Sequence, residues 1–259
     1  MGIVTIQEET TKNPITLIGK EAGICWGANT EDNEKNFRRG MDCLASNHGR
    51  TLEYPQVYMI LDGYSARVIR EFYTHIGGGP TRLQASTRYI DYKNFSEKEE
   101  YIIPPTVFCS LKEKQTSTKP NITKISTALG IYKDCMDNIA KTMKILEEDF
   151  EIPKEDLALL LPLGMKTKIV VRTNLRNLID MSHQRMCSRA NWEFRCLMAD
   201  ISRALSEYSN EWDNIVINYF KPKCKVLGYC PEGKKSCGMV QTTRTKEFHK
   251  MVEDSNKEE

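Results

Sequence analysis

The chain has 259 residues and is 40% hydrophobic, enough for one cooperatively packed domain with a sizeable core. Lysine plus arginine number 37 against 35 aspartate plus glutamate, so a formal net charge of +2 excludes attraction to nucleic acid by the molecule as a whole and leaves only a local basic site to argue. No apolar run reaches the roughly 18 residues of a membrane span, and MGIVTIQEETTKNPITLIG lacks the basic-then-apolar order of a signal peptide, so a cytoplasmic location is expected.

In chain order, the runs IVTI and ITLIG between Ile3 and Ile18 read as two short strands separated by a polar turn. From Thr30 to Asn47, Phe37, Met41 and Leu44 recur at spacings of three and four, which predicts a short helix ending near His48-Gly49. VYMILDG reads as a strand turning at Asp62-Gly63, and SARVIREFYTH as a helix with Ala66, Ile69 and Tyr73 on one face. The glycines at 77, 78 and 79 are expected to end that helix. Residues 90–120, polar and Pro-containing, are expected to make a surface excursion with YIIPPTVF as an apolar contact. Ile122, Ile125, Leu129, Ile131 and Ile139 then outline a long helix between Asn121 and Glu148, interrupted in propensity by Gly130. Pro153, Glu155 and Asp156 suit the first turn of a short helix stopped by Pro162, and KTKIVVRT alternates as a strand does. Asn174 to Tyr208 divides into two helical pieces joined near Met186 to Arg189, with Leu178 and Met181 facing the core. The last patterned element reaches Phe220, so residues 1–220 are expected to form one domain, 221–259 a cysteine-containing extension, and the part after Gln241 a solvated end.

The most informative stretch is THIGGGPTRLQASTRY, Thr74 to Tyr89. Three glycines and Pro80 are followed by Arg82, Gln84, Ser86 and Arg88, a dense set of donors where backbone can approach a ligand. Arg82 and Arg88 could bind phosphate bidentately with a hydroxyl from Ser86; a solvated surface turn is the plainer alternative, since no GxGxxG or Walker pattern is present. A second polar concentration, Asn174, Arg176, Asp180 and Arg185, lies on a segment that otherwise carries core residues. There a guanidinium could stabilise charge developing on a carbonyl oxygen, or simply form a surface face. His48, His75, His183 and His249 form no metal-binding motif. Nine cysteines are an odd count for a disulfide scaffold, and mostly free thiols are expected. Cys224, Cys230 and Cys237 have five and six intervening residues, wider than structural zinc pairs, which leaves a terminal disulfide or free thiols ahead of a metal. Cys187 and Cys196 lack a cysteine-histidine constellation, and Trp192 and Phe194 read as packing residues.

Taken together, Arg70, the THIGGGPTRLQASTRY loop, LPLG at 161–164, TNLRNL at 173–178 and Arg185-x4-Ala190-Asn191-Trp192-Glu193 resemble the flavin-dependent thymidylate synthases over about residues 1–220. The resemblance implies an α/β fold with a central, mostly antiparallel sheet flanked by helices, assembled as a homotetramer whose active sites are shared between subunits. It implies reductive methylation of dUMP to dTMP, with 5,10-methylenetetrahydrofolate as one-carbon donor and NADPH as reductant through FAD. Carried over by position, His48, Glu53, His75, Asn174, Arg176 and Asp180 resemble flavin-site residues. Arg70, Thr81, Arg82, Gln84, Ser86 and Arg88 resemble the nucleotide phosphate and sugar site, and Arg185 the arginine that contacts the pyrimidine ring and acts in catalysis. No metal is implied.

This sequence departs from the family pattern. Thr74-His75-Ile76 stands where Arg-His-Arg is usual and is followed by what looks like a two-residue glycine insertion. Gln84 replaces a common glutamate, Tyr54 a common histidine, and Ala158 a nucleotide-binding arginine for which Lys154, Lys166 or Arg82 could substitute. A related enzyme acting at C5 of another deoxypyrimidine such as dCMP, by methylation or hydroxymethylation, and a non-catalytic nucleotide-binding protein are the alternatives these departures keep open.

Overall fold

The computed structural model describes residues 2–108, 122–240 and 242, with side chains left undescribed at 122–126. Strand β1 (Ile3–Ile6) is the IVTI run, as expected. ITLIG, however, is not a strand: it lies in helix α1 (Pro14–Cys25), which Pro14 starts and which buries Ile15, Ile18, Gly19, Ala22 and Gly23. The reason is close packing against α2 (Asn33–Ala45). A Cβ on Gly19 would lie 1.8 Å from the carbonyl oxygen of Asn36, and one on Gly40 2.0 Å from that of Ile15. The small residues that weakened the helical pattern are what let the two backbones approach. Helix α2 begins at Asp32, whose carboxylate accepts from the Lys35 amide. It is followed by Asn47 at φ 51°, so Asn47 and not Gly49 makes the left-handed exit.

Strand β2 (Gln56–Ser65) buries Val57, Met59 and Leu61 on alternate positions. It does not turn at Asp62-Gly63: Gly63, at φ 79°, carries the chain onward to Ser65. The Ser65 hydroxyl caps α3 (Ala66–Phe72) by accepting from the Val68 amide at 3.1 Å. The buried face of α3 is Val68, Ile69 and Phe72, whereas Tyr73 is exposed, and the helix ends at Phe72, ahead of the three glycines. The donor-rich segment contains a strand the sequence pattern did not reveal, β3 (Thr81–Gln84).

Helix α4 (Ile122–Glu148) runs through Gly130 without interruption. Its buried side is Met136, Ala140 and Met143, packed with Phe95, Tyr101 and Leu157, while Ile131 is 65% exposed. Tyr101 is thus the apolar contact expected from YIIPPTVF. The remainder of the excursion, 109–120, the start of the helix at Asn121, Cys109 and the tail at 241 and 243–259 lie outside the described residues. A short helix α5 (Lys154–Leu157) leads through a 3-10 turn to Pro162 and then β4 (Lys166–Asn174), which buries Thr167, Ile169, Val171 and Thr173. Helices α6 (Leu175–Arg185) and α7 (Trp192–Tyr208) are the two expected pieces. On α7, Phe194, Leu197, Met198, Ile201 and Leu205 are fully buried at three- and four-residue spacing, each contributing roughly 1.5–3 kcal/mol. Helices α8 (Asn210–Tyr219) and α9 (Lys223–Leu227) complete the described elements.

The four strands form one sheet in the order β1-β2-β4-β3. It is antiparallel: Gln7 and Thr11 donate to Tyr58 and Gln56, Ala66 to Met165, Leu175 to Pro55, and Ala85 to Lys168. By compactness the chain divides into a first unit, residues 1–3, 61–74 and 83–170, and a second unit, residues 4–60, 75–82 and 171–259. Among the described residues, no helix is long and apolar enough to cross a membrane, and Cys224, Cys230 and Cys237 carry free thiols.

Candidate active site

In the second unit, β4 delivers Asn174 to the start of α6, where its side-chain oxygen accepts from the Asn177 amide at 2.9 Å. The amide nitrogen of the Asn177 side chain donates to the Thr173 hydroxyl at 2.9 Å and to the His75 carbonyl at 3.4 Å. That same carbonyl accepts from the Arg82 guanidinium. The glycine-rich segment therefore docks on the beginning of α6, and Gly78 shows why the contact requires glycine. It has φ 71°, and a Cβ there would lie 1.8 Å from Asn174 Nδ2. Arg172, two residues earlier on β4, donates to the Gly79 carbonyl and to the Thr81 hydroxyl, both at 3.3 Å.

His75 is buried and Ile76, beside it, is 73% exposed. The Arg185 Nε–H donates to His75 Nε2 at 2.9 Å, so the imidazole is neutral with its proton on Nδ1. Burial, then the charges of Arg185 and Arg82, push the His75 pKa from 6.5 down to about 4. The Arg185 guanidinium also lies 4.6 Å from the centre of the Phe194 ring, and Phe194 meets His75 edge-on at 5.8 Å. Asp180 is exposed in the second turn of α6. His183 is lowered mainly by burial, against an opposing pull from Asp180.

A second polar group in this unit surrounds the turn after α2. Arg176 donates to Glu53 at 2.7 Å, Arg50 reaches the same carboxylate at 3.5 Å, and the Arg176 guanidinium lies against Gly49, where a Cβ would stand 3.1 Å from its central carbon. His48 is exposed beside the Trp26 ring, with centroids 6.5 Å apart. Solvent-accessible guanidinium groups, a histidine and an aromatic edge form a donor set that fits the pyrophosphate of a dinucleotide cofactor.

In the first unit, Gln84 donates weakly to the Thr167 hydroxyl at 3.4 Å, and the Ser86 oxygen accepts from the Arg88 amide at 3.2 Å. The Arg88 side chain pairs with Glu155 at 2.9 Å, and Arg70 is exposed in the last turn of α3. Of the substitutes for an arginine at 158, Lys154 pairs with Asp91 at 3.4 Å, Lys166 donates to the Glu99 carbonyl at 2.9 Å, and Arg82, in the second unit, serves His75. Lys154 and Ala158 line one small cavity with Asp91 and Lys93.

The structure thus joins His75, Arg82, Asn174 and Arg185 in one network, and Glu53 with Arg176 in another. Thr81 is bound instead by Arg172, which also holds the Gly79 carbonyl. Gln84, Ser86, Arg88 and Arg70 belong to the other unit. Sequence reasoning gave no role to Arg172 or Asn177 and took Phe194 as a packing residue, which its full burial bears out, without foreseeing its contact with Arg185. The strand periodicity of KTKIVVRT, which turns Arg172 away from the buried positions, was the available signal for the first of these.

The profile of the family described as thymidylate synthase complementing protein matches residues 8–209. The chain belongs to that family. Among curated relatives, the flavin-dependent thymidylate synthase of Clostridium tetani is 27% identical over 253 residues, covering 92% of this chain and 94% of the relative. That of Pyrococcus furiosus is 27% identical over 260 residues, covering 95% and 96%. At this identity the chain is a divergent member of the flavin-dependent thymidylate synthase family. The fold agrees with a crystal structure of thymidylate synthase X from Helicobacter pylori with FAD and dUMP, with TM-score 0.57 and 16% identity over 83% of this chain and 99% of that one. The α/β class and the antiparallel sheet flanked by helices are those implied by the resemblance.

Proposed function

We propose that this chain is a flavin-dependent thymidylate synthase that converts dUMP to dTMP, taking the one-carbon unit from 5,10-methylenetetrahydrofolate and reducing equivalents from NADPH through FAD. The single observation that carries the proposal is the docking of residues 75–82 on the start of α6, which brings His75 and Arg185 into hydrogen-bond contact although 110 positions separate them. His48, Glu53, His75, Asn174, Arg176 and Asp180 bind the flavin, with Glu53 fixing the plane of the Arg176 guanidinium. When bound, FAD supplies the hydride chemistry that no side chain can perform. Arg70, Thr81, Arg82, Gln84, Ser86 and Arg88 hold the nucleotide phosphate and sugar. Arg185 contacts the pyrimidine and stabilises negative charge on its carbonyl oxygen as C5 becomes nucleophilic. The working form is a homotetramer with active sites shared between copies, residues 1–220 forming the catalytic domain and 221–259 an extension.

The test is product analysis with purified protein, FAD, NADPH and methylenetetrahydrofolate, offering dUMP and dCMP in parallel. Formation of dTMP is expected. Exclusive conversion of dCMP overturns the substrate assignment, and binding of FAD and dUMP without any product leaves a nucleotide-binding protein in place of an enzyme.

A further inference from the structure

We propose that His75 and Phe194 form a clamp that positions Arg185, with His75 taking the Nε–H and Phe194 one face of the guanidinium. The inference rests on the reading of Arg185 as the pyrimidine-contacting residue and adds the device that aims it. An arginine at the end of a long side chain has several rotatable bonds, and a fork of donors is useful to a planar ring only when its own plane is fixed. Both restraints are present. The hydrogen bond of 2.9 Å to His75 Nε2 sets the direction of the Cδ–Nε axis, and the Phe194 ring at 4.6 Å sets the plane. The clamp is itself held: Phe194 is fully buried at the start of α7, the His75 carbonyl is gripped by Asn177 and Arg82, and His75 meets Phe194 edge-on.

The acceptor role demands an imidazole without a proton on Nε2. Burial opposes protonation of His75 most strongly, and the cations Arg185 from α6 and Arg82 from β3 oppose it further. Phe194, which meets the imidazole edge-on, is uncharged. His75 thereby stays an acceptor across the neutral range, and removal of Arg185 relaxes one of the forces that keep it so.

The test has two arms. Titration of the His75 imidazole by NMR in the wild-type protein should give a pKa near 4 with the proton on Nδ1, and Arg185→Ala should move it upward toward 6.5. An ordinary wild-type value, or no movement on Arg185→Ala, overturns the clamp whether or not the chain makes dTMP. In the second arm, dUMP binding and the separate kcat and KM values are compared for His75→Leu, His75→Gln and Phe194→Leu. His75→Leu should weaken dUMP binding by about tenfold or more, and His75→Gln, whose side-chain oxygen can accept from Arg185, should recover most of it. Phe194→Leu, which keeps the buried volume apolar, should lower kcat more than it alters flavin content. Equal losses in His75→Gln and His75→Leu overturn the positioning role. Absence of dTMP formation by the wild type, with the first arm intact, removes the enzymatic reading and leaves the clamp.

Discussion

His75 shows how a single buried side chain ties stability to pH. Folded, it holds a proton only below about 4, against 6.5 for an ordinary imidazole, so between those values the unfolded chain binds more protons. Its contribution is therefore complete above pH 6.5, declines as pH falls toward 4, and changes no further below that. His183, lowered chiefly by burial, acts in the same direction. The urea midpoint of the wild type should fall across this window, and His75→Gln, which cannot titrate, should flatten the decline by on the order of 3 kcal/mol. Two adjacent glycines give a sharper contrast at the same scale. Gly79 is left-handed at φ 61° with open space around its Cβ position, so Gly79→Ala should cost about 1 kcal/mol. Gly78 is left-handed and also pressed against Asn174, so Gly78→Ala should cost about 3 kcal/mol and disturb the cap of α6. Equal denaturation midpoints for the two variants would show that the docking of the loop on α6 is not specific.

At the scale of elements, the start of α1 is closed by a residue that no local motif pairs with it. The amides of Ile15 and Thr16 at the start of α1 donate to Glu211 of α8 at 2.7 and 3.0 Å. Glu211→Ala strands both amides, and a loss of about 2–3 kcal/mol is expected by chemical denaturation, with Glu211→Gln recovering part of it. Asp32, Ser65, Asn174 and Asn191 cap their own helices, and each stands in the sequence directly before the helix it serves. Such local signals made α2, α3, α6 and α7 readable, and strict alternation made β4 readable. Helix α1 was misread because ITLIG, taken alone, has the density of a strand; only the approach of α2 at Gly19 and Gly40 explains its glycines. Strand β3 was missed because four residues rich in donors show no period, and its pairing partner lies far along the chain.

For the molecule as a whole, distant segments are joined by a few buried polar contacts. Trp212 is fully buried and donates from its indole nitrogen to the Thr11 carbonyl at 2.8 Å, and the Tyr208 hydroxyl donates to the Thr10 carbonyl at 3.0 Å, tying α7 and α8 to the residues after β1. The proposed flavin site depends on similar long-range pairing between Glu53 and Arg176. Arg176→Ala should lower FAD affinity by about tenfold, read from flavin content and from the FAD-dependent rise in melting temperature, while native mass stays that of the wild type. The sequence by itself determined the family, most helices, the alternation of β2 and β4 and the residue types of the site, because these rest on motifs and periods carried within one segment. Tertiary structure alone decided that His75 is neutral, that Gly78 abuts Asn174, and that Arg185 touches both an imidazole and a phenyl ring. The physical reason is that the desolvation of His75 and the steric approach at Gly78 depend on partners about a hundred residues away, and no local pattern in a chain encodes which distant side chain will arrive.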